Sequence, residues 1–269
     1  MNTSTSNTQK DIVIAMYPET TEIYTPVITG AQRNVLIAKT NDGEMVFKFG
    51  NKDLVEKNAT VSKLYNIRGI HVPLVTAHNI NGVSFELYKK VPGQTLYEAI
   101  QKGMSKEQIK HVYNDVLTEF AKMSFIHPAY VNQHLKRNVH DIAYTNISVV
   151  NNSTLAKLFM GLVYIINIGP TENKRIFHSD ITPKNIIVSD KGDFLSFVDM
   201  DNVCVCNKNY AFSIMAAKYK ELGFEVEELI DNYRKISQQN LPANNIITRT
   251  AASYFGRRLL WLHSQRKQK

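Results

Sequence analysis

The sequence predicts an α+β chain in two parts. A small, mostly antiparallel β lobe with one helix spans residues 11–91, a larger helical lobe spans 92–269, and residues 1–10 form a flexible, polar tail. Three observations carry this reading. Short apolar runs before residue 91 are separated by turn residues, Asn41-Asp42-Gly43 being the strongest. After Pro92-Gly93, apolar residues recur at spacings of three and four, the signature of helices. Within that helical part a lone hairpin is expected, Ile186 to Val188 and 194–198 around Ser-Asp-Lys-Gly-Asp.

In chain order, residues 12–15 and 35–38 are apolar enough for strands, and 44–49 pairs with the second across the Asn-Gly-type turn. Met45, Phe47 and Phe49 alternate with Val46 and Lys48, so Lys48 is a cation inside an apolar strand. Taken alone it reads as an edge-strand lysine reaching solvent. Residues 53–67 suit a helix with Asp53 as cap and Leu54, Val61 and Leu64 on its apolar face. Asn79 to Gly82 is a turn, and neither Pro92 nor Gly93 continues a strand, so the lobes divide there. Ser105-x-x-Gln108 is a capping box. It opens a helix whose core face is Ile109, Val112, Tyr113, Val116, Leu117, Phe120 and Met123. Further helices are expected over 153–168, 210–222, 225–237 and 247–265.

Composition bounds the function. Apolar content of 43% and charged content of 21% are those of a globular protein. No apolar run is long enough to span a membrane. The start, MNTSTSNTQK, lacks the apolar core of a signal peptide, so a cytoplasmic protein is expected. Cys204 and Cys206 are too few and too close for a disulfide framework, and no further Cys completes a metal site. The net charge of +8 is dispersed except at the C-terminus, and no nucleic-acid-binding motif accompanies it. The basic last helix, with Arg257, Arg258 and Trp261, reads as packed on its lobe with a solvated basic face rather than docked on a membrane.

The chemistry concentrates in 176–203. Asp180 and Asn185 stand five apart in His-Ser-Asp-Ile-Thr-Pro-Lys-Asn, and Asp199 ends an apolar run in Val-Asp-Met-Asp. A hairpin between them brings its ends together. A carboxylate that accepts a hydroxyl proton, with an amide oxygen and a second carboxylate for Mg²⁺, is what phosphoryl transfer from ATP requires.

This run of H-x-D-x-x-x-x-N, hairpin and Asp resembles the catalytic and metal-binding segments of the protein-kinase-like fold. It is nearer to the small-molecule branch, the aminoglycoside and choline kinase-like phosphotransferases, because Met-Asp rather than Phe-Gly follows Asp199. The resemblance implies a two-lobed protein-kinase-like fold, ATP and Mg²⁺ as cofactors, and a small hydroxylated acceptor. Residue by residue, it implies Asp180 as the base that positions the hydroxyl, Asn185 and Asp199 as Mg²⁺ ligands, and His178 as a brace. It implies that the turn containing Gly30 covers the phosphates and that Lys48 pairs with them. Glu56, the available glutamate on the helix, would hold Lys48, although the spacing falls nearer Lys57. The Lys89 carbonyl and Val91 amide would face the adenine, and Asp201 would assist with metal or acceptor. Two other readings stand beside this one. A compact atypical protein kinase is disfavoured by the short stretch after Asp199 with no Ala-Pro-Glu. A binding module without catalysis has no physical need to cluster carboxylates that repel one another without a metal.

Overall fold

The computed structural model describes residues 3–26, 33–130, 174–241, 246–247 and 250. The chain forms two compact units, Met1–Gly93 with Leu195–Asp201, and Gln94–Phe194 with Asn202–Lys269.

The first unit is built on an antiparallel five-stranded sheet in the order β1-β2-β3-β5-β4. Its strands are β1 (Glu22–Tyr24), β2 (Val35–Thr40), β3 (Gly43–Gly50), β4 (Thr76–Ile80) and β5 (Val83–Lys89). Gly43 closes the β2–β3 turn at φ +109°, which a side chain would strain. The one long helix between strands is α2 (Lys52–Ile67). Its cap is Asn51, whose side chain accepts from the Leu54 amide at 2.8 Å, and not Asp53; Asp53 instead lies in the positively polarised first turn.

The N-terminus corrects the expectation of a flexible tail followed by a strand. Thr3–Met16 is a helix, α1. Gln9, Ile12, Val13 and Met16 recur at helical spacing, and Ile12 and Val13 are buried among Leu36, Ala38, Phe47, Phe49, Phe85 and Leu87. Each such burial contributes about 1.5–3 kcal/mol, enough to order a segment whose first residues are polar. Phe47 and Phe49 thus face α1, while Lys48 points to the opposite face of the sheet.

In the second unit, β6 (Gln94–Thr95) pairs with β8 (Ile186–Val188), and Thr95 forms a capping box with Glu98 at the head of α3 (Leu96–Gln101). Ser105 and Gln108 form the capping box expected at the head of α4 (Lys106–Met123). Every apolar position assigned to that helix's core face is buried. Sequence patterning did not anticipate the two-stranded sheet of β7 (Lys174–His178) and β10 (Val203–Asn207). Helices α5 (Lys208–Glu221) and α6 (Val226–Ser237) complete the described part. Phe120 of α4 stacks on Phe177 of β7 at 4.8 Å between ring centres and meets Phe212 and Tyr233 edge-on. This aromatic core fixes β7, and with it the loop that follows. Cys204 and Cys206 are buried on β10 and form no disulfide, and burial pushes the Cys206 thiol well up, away from reactivity. The helices expected over 153–168 and beyond 250, with Arg257, Arg258 and Trp261, lie outside the described residues.

The expected hairpin forms. The Ser189 amide donates to the Asp193 carbonyl at 2.8 Å, Gly192 takes φ +90°, and the chain returns through β9 (Phe194–Phe197) into the first unit. No described helix is long and apolar enough to cross a membrane.

Candidate active site

In the second unit the site is the loop that leaves β7. His178, buried at the strand's end, accepts the Asp180 amide on Nδ1 at 3.2 Å, so the ring braces the loop. The Ser179 amide and hydroxyl both donate to the Asn202 carbonyl, at 3.1 and 2.6 Å, which ties the loop to the start of β10. Pro183 then opens a short 3₁₀ turn that ends at Asn185. That turn returns Asn185 to Asp180: Asn185 Nδ2 donates to the Asp180 carbonyl at 2.9 Å and to Asp180 Oδ2 at 3.0 Å. Asn202 Nδ2 adds a longer bond to the same Oδ2, at 3.3 Å. Two amides therefore hold one carboxylate oxygen of Asp180. The other, Oδ1, makes no hydrogen bond to any described residue, and the side chain is only partly buried. Because Asn185 commits its nitrogen to Asp180, its amide oxygen is left to meet something else.

In the first unit the site is a charge cluster on the sheet face that bears Lys48. Lys48 Nζ lies 2.6 Å from Asp199 Oδ1 and 2.8 Å from Asp201 Oδ2. Asp199 has φ +65°, a left-handed conformation that Asp tolerates at modest cost and that recurs at functional positions. Its carboxylate is 40% exposed, against 20% for Asp201, so Asp199 offers the more open oxygens. Burial pushes the Asp201 carboxyl up, but the Lys48 ammonium and Arg33 guanidinium outweigh it and hold the group below the ordinary carboxylate range.

The partner expected for Lys48 is corrected. Glu56 is half-exposed on the outer face of α2, 3.8 Å from Lys52, one turn earlier on the same helix. The inner face of α2 presents Lys57 and Asn58 instead. Lys57 Nζ donates to the Asp201 carbonyl at 2.7 Å, and Asn58 Nδ2 donates to Glu86 Oε1 and Asp201 Oδ1 at 2.8 and 2.7 Å. Sequence reading also missed Arg33 and Glu86. Glu86 is buried directly across from Lys48 in the β3–β5 register, and its carboxylate pairs with Arg33. Burial raises the Glu86 carboxyl's pKa, the arginine offsetting only part of the effect. The one available signal was an acidic residue in the apolar run Val-Ser-Phe-Glu-Leu-Tyr.

Lys89 ends β5, and Gly30 lies outside the described residues. The Lys90 amide donates to the Glu44 carbonyl at 2.8 Å, and Met45 lies opposite Lys89. Alternation along the strand therefore turns the Lys89 carbonyl and Val91 amide away from β3, beyond Thr76, where β4 begins. Neither group hydrogen-bonds another backbone group among the described residues. Among the described residues there is no group of three or more His, Cys, Asp or Glu side chains placed to hold a metal ion. Mg²⁺ needs no such cage, since one or two carboxylates with water and phosphate oxygens suffice, and each unit by itself offers an oxygen of the kind it takes, the Asn185 amide in one and the open Asp199 carboxylate in the other.

No protein-family model matches the chain, and no curated protein matches it. Solved structures do. The chain is similar to the GDP and kanamycin complex of APH(2")-IIia, with 13% identity over 97% of this chain and 93% of that one, at a TM-score of 0.69. It is similar to aminoglycoside-3'-phosphotransferase of type VIII, with 14% identity over 93% and 98% of the two chains, at 0.67. It is also similar to aminoglycoside phosphotransferase APH(3'')-Id from Streptomyces rimosus, solved with ADP and streptomycin, with 12% identity over 92% and 98%, at 0.65. At such identity the likeness is one of fold. The chain has the two-lobed, kinase-like fold of the aminoglycoside phosphotransferases.

Proposed function

We propose that this protein is an ATP- and Mg²⁺-dependent phosphotransferase that moves the γ-phosphate to a hydroxyl of a small molecule, a sugar, amino-alcohol or aminoglycoside-like compound. The observation that carries the reading is the state of Asp180. Its Oδ2 is fixed by Asn185 and Asn202, while Oδ1 makes no hydrogen bond to any described residue and the group is partly open to solvent. A carboxylate so held is oriented to accept one proton from one direction, as a group that positions an attacking hydroxyl must be.

The remaining residues take roles consistent with this. Lys48 contacts the phosphates, and its charge offsets the repulsion between Asp199 and Asp201. Asn185 and Asp199 hold Mg²⁺, which when bound neutralises charge on the transferring phosphate. The Lys89 carbonyl and Val91 amide recognise the base through backbone groups. The fold neighbours solved with kanamycin and with streptomycin support an acceptor of the polyhydroxylated class. The chain's own net charge of +8 tilts the choice toward neutral or anionic members of that class.

A melting experiment tests the nucleotide half of this reading. ATP with Mg²⁺ at about a hundred times the dissociation constant stabilises by about 2.7 kcal/mol, which is about 5–10 °C for a chain of this size. ATP without Mg²⁺ should give less. No shift with either, or with GTP in the same series, at millimolar concentration contradicts the proposal.

A further inference from the structure

The phosphate-contacting lysine is normally expected to be steadied by a helix carboxylate, and here α2 turns its Glu56 outward. We propose that Arg33 is the positioning residue that does this work: paired with the strand carboxylate Glu86, it fixes Asp201 and through Asp201 the Lys48 ammonium. The inference rests on the phosphotransferase reading above.

Arg33 is placed for such a role by every donor it has in use. Nη1 bridges Glu86 and Asp201, the second at 2.8 Å. Nη2 donates to the Lys48 carbonyl and Nε to the Phe49 carbonyl, each at 2.8 Å. One planar group thus binds the backbone of the strand carrying Lys48 and the carboxylate that receives Lys48 Nζ. A lysine in its place could not make both sets of contacts. Asp201 is held from three more directions, by Lys48, by the Lys57 ammonium on its carbonyl and by Asn58.

Two further observations separate this arrangement from ordinary packing. Gly50 sits where an added Cβ would lie 2.6 Å from Arg33 Nη2 and 2.7 Å from Nε. The glycine is therefore required by the guanidinium lying on it rather than by a left-handed backbone. Asn58 points its nitrogen between two carboxylates and leaves its Oδ1 buried without a hydrogen-bond partner among the described residues. A buried amide oxygen left unsatisfied lowers stability, and such concessions mark sites where position outranks stability.

The test compares MgATP with adenosine, the nucleoside that lacks phosphates, by calorimetry on wild type, Gly50→Ala and Arg33→Lys; MgGTP and guanosine replace them if wild type prefers GTP. Gly50→Ala removes no charge and clashes only with the Arg33 guanidinium, so it shifts Arg33 without deleting it, and a melting curve on each variant shows that the protein compared is folded. Both variants should bind the nucleoside within about twofold of wild type. Both should lose about tenfold in MgATP affinity, the scale of one charge-assisted hydrogen bond, at unchanged stoichiometry. A merely structural role lowers the stoichiometry, or weakens nucleoside and nucleotide alike, and overturns the inference. So does MgATP affinity equal to wild type in Gly50→Ala. A wild type that binds MgATP no better than the nucleoside removes the phosphate site altogether, and the phosphotransferase reading with it.

Discussion

Replacing Asp180 by Asn should lower the turnover number by about two to four orders of magnitude while ATP affinity stays within a few-fold of wild type. The geometry makes this substitution unusually clean. Asp180 Oδ2 accepts from Asn185 Nδ2 at 3.0 Å and from Asn202 Nδ2 at 3.3 Å. An asparagine carbonyl can accept the same two bonds, so the side chain stays in place and presents its NH₂ where the other carboxylate oxygen stood. Shape and loop are retained; charge and basicity are lost. The effect therefore falls on the step in which the acceptor hydroxyl gives up its proton, and nucleotide binding is spared. Rate measurement on any acceptor, with calorimetry for ATP, checks both halves. A binding module without catalysis predicts no change in any rate, and near-normal transfer by the variant would mean the base lies elsewhere.

Asp199→Ala should abolish Mg²⁺-dependent turnover, to below about a thousandth of wild type, and suppress the extra melting shift that Mg²⁺ gives to ATP. Losing the carboxylate removes the more open acid beside Lys48 and leaves Lys48 with Asp201 alone. Alanine at φ +65° adds a local cost of about 1–2 kcal/mol, which asparagine avoids because it tolerates this conformation. Asp199→Asn should therefore melt near wild type and still lose the turnover, separating the loss of a metal ligand from backbone strain. Retained Mg²⁺-dependence in the asparagine variant would exclude Asp199 as a ligand.

These expectations draw unequally on sequence and structure. The spacing of His178, Asp180, Asn185 and Asp199 was legible because one loop and one hairpin carry all four, and local turn chemistry reports on such segments. The α4 capping box was legible for the same reason. Helix α1 was misread because Ile-Val-Ile-Ala fits a short strand as well as a helix. What decides is the docking of Ile12 and Val13 on a sheet formed by later residues. Glu56 was misassigned because helical period says which residues share a face and not which face meets the lysine. The pairing of Arg33 with Glu86 was not legible, since an acid in an apolar run names no partner. The two lie 53 residues apart, and Asp201, which Arg33 also reaches, lies 168 residues from Arg33. Only the register that sets Lys48 opposite Glu86 brings them together.

The central claim is that this chain transfers phosphate to a small hydroxylated molecule. Its most direct measurement is transfer of γ-labelled phosphate from ATP, and in parallel from GTP, to a panel of sugars, amino-alcohols and aminoglycosides, with Asp180→Asn as control. The account predicts a labelled, acid-stable phosphate ester of at least one class with wild type, dependent on Mg²⁺ and reduced at least about a hundredfold in the control. Label that stays in nucleotide and inorganic phosphate across the whole panel, or an ester formed equally well by the control, would contradict it.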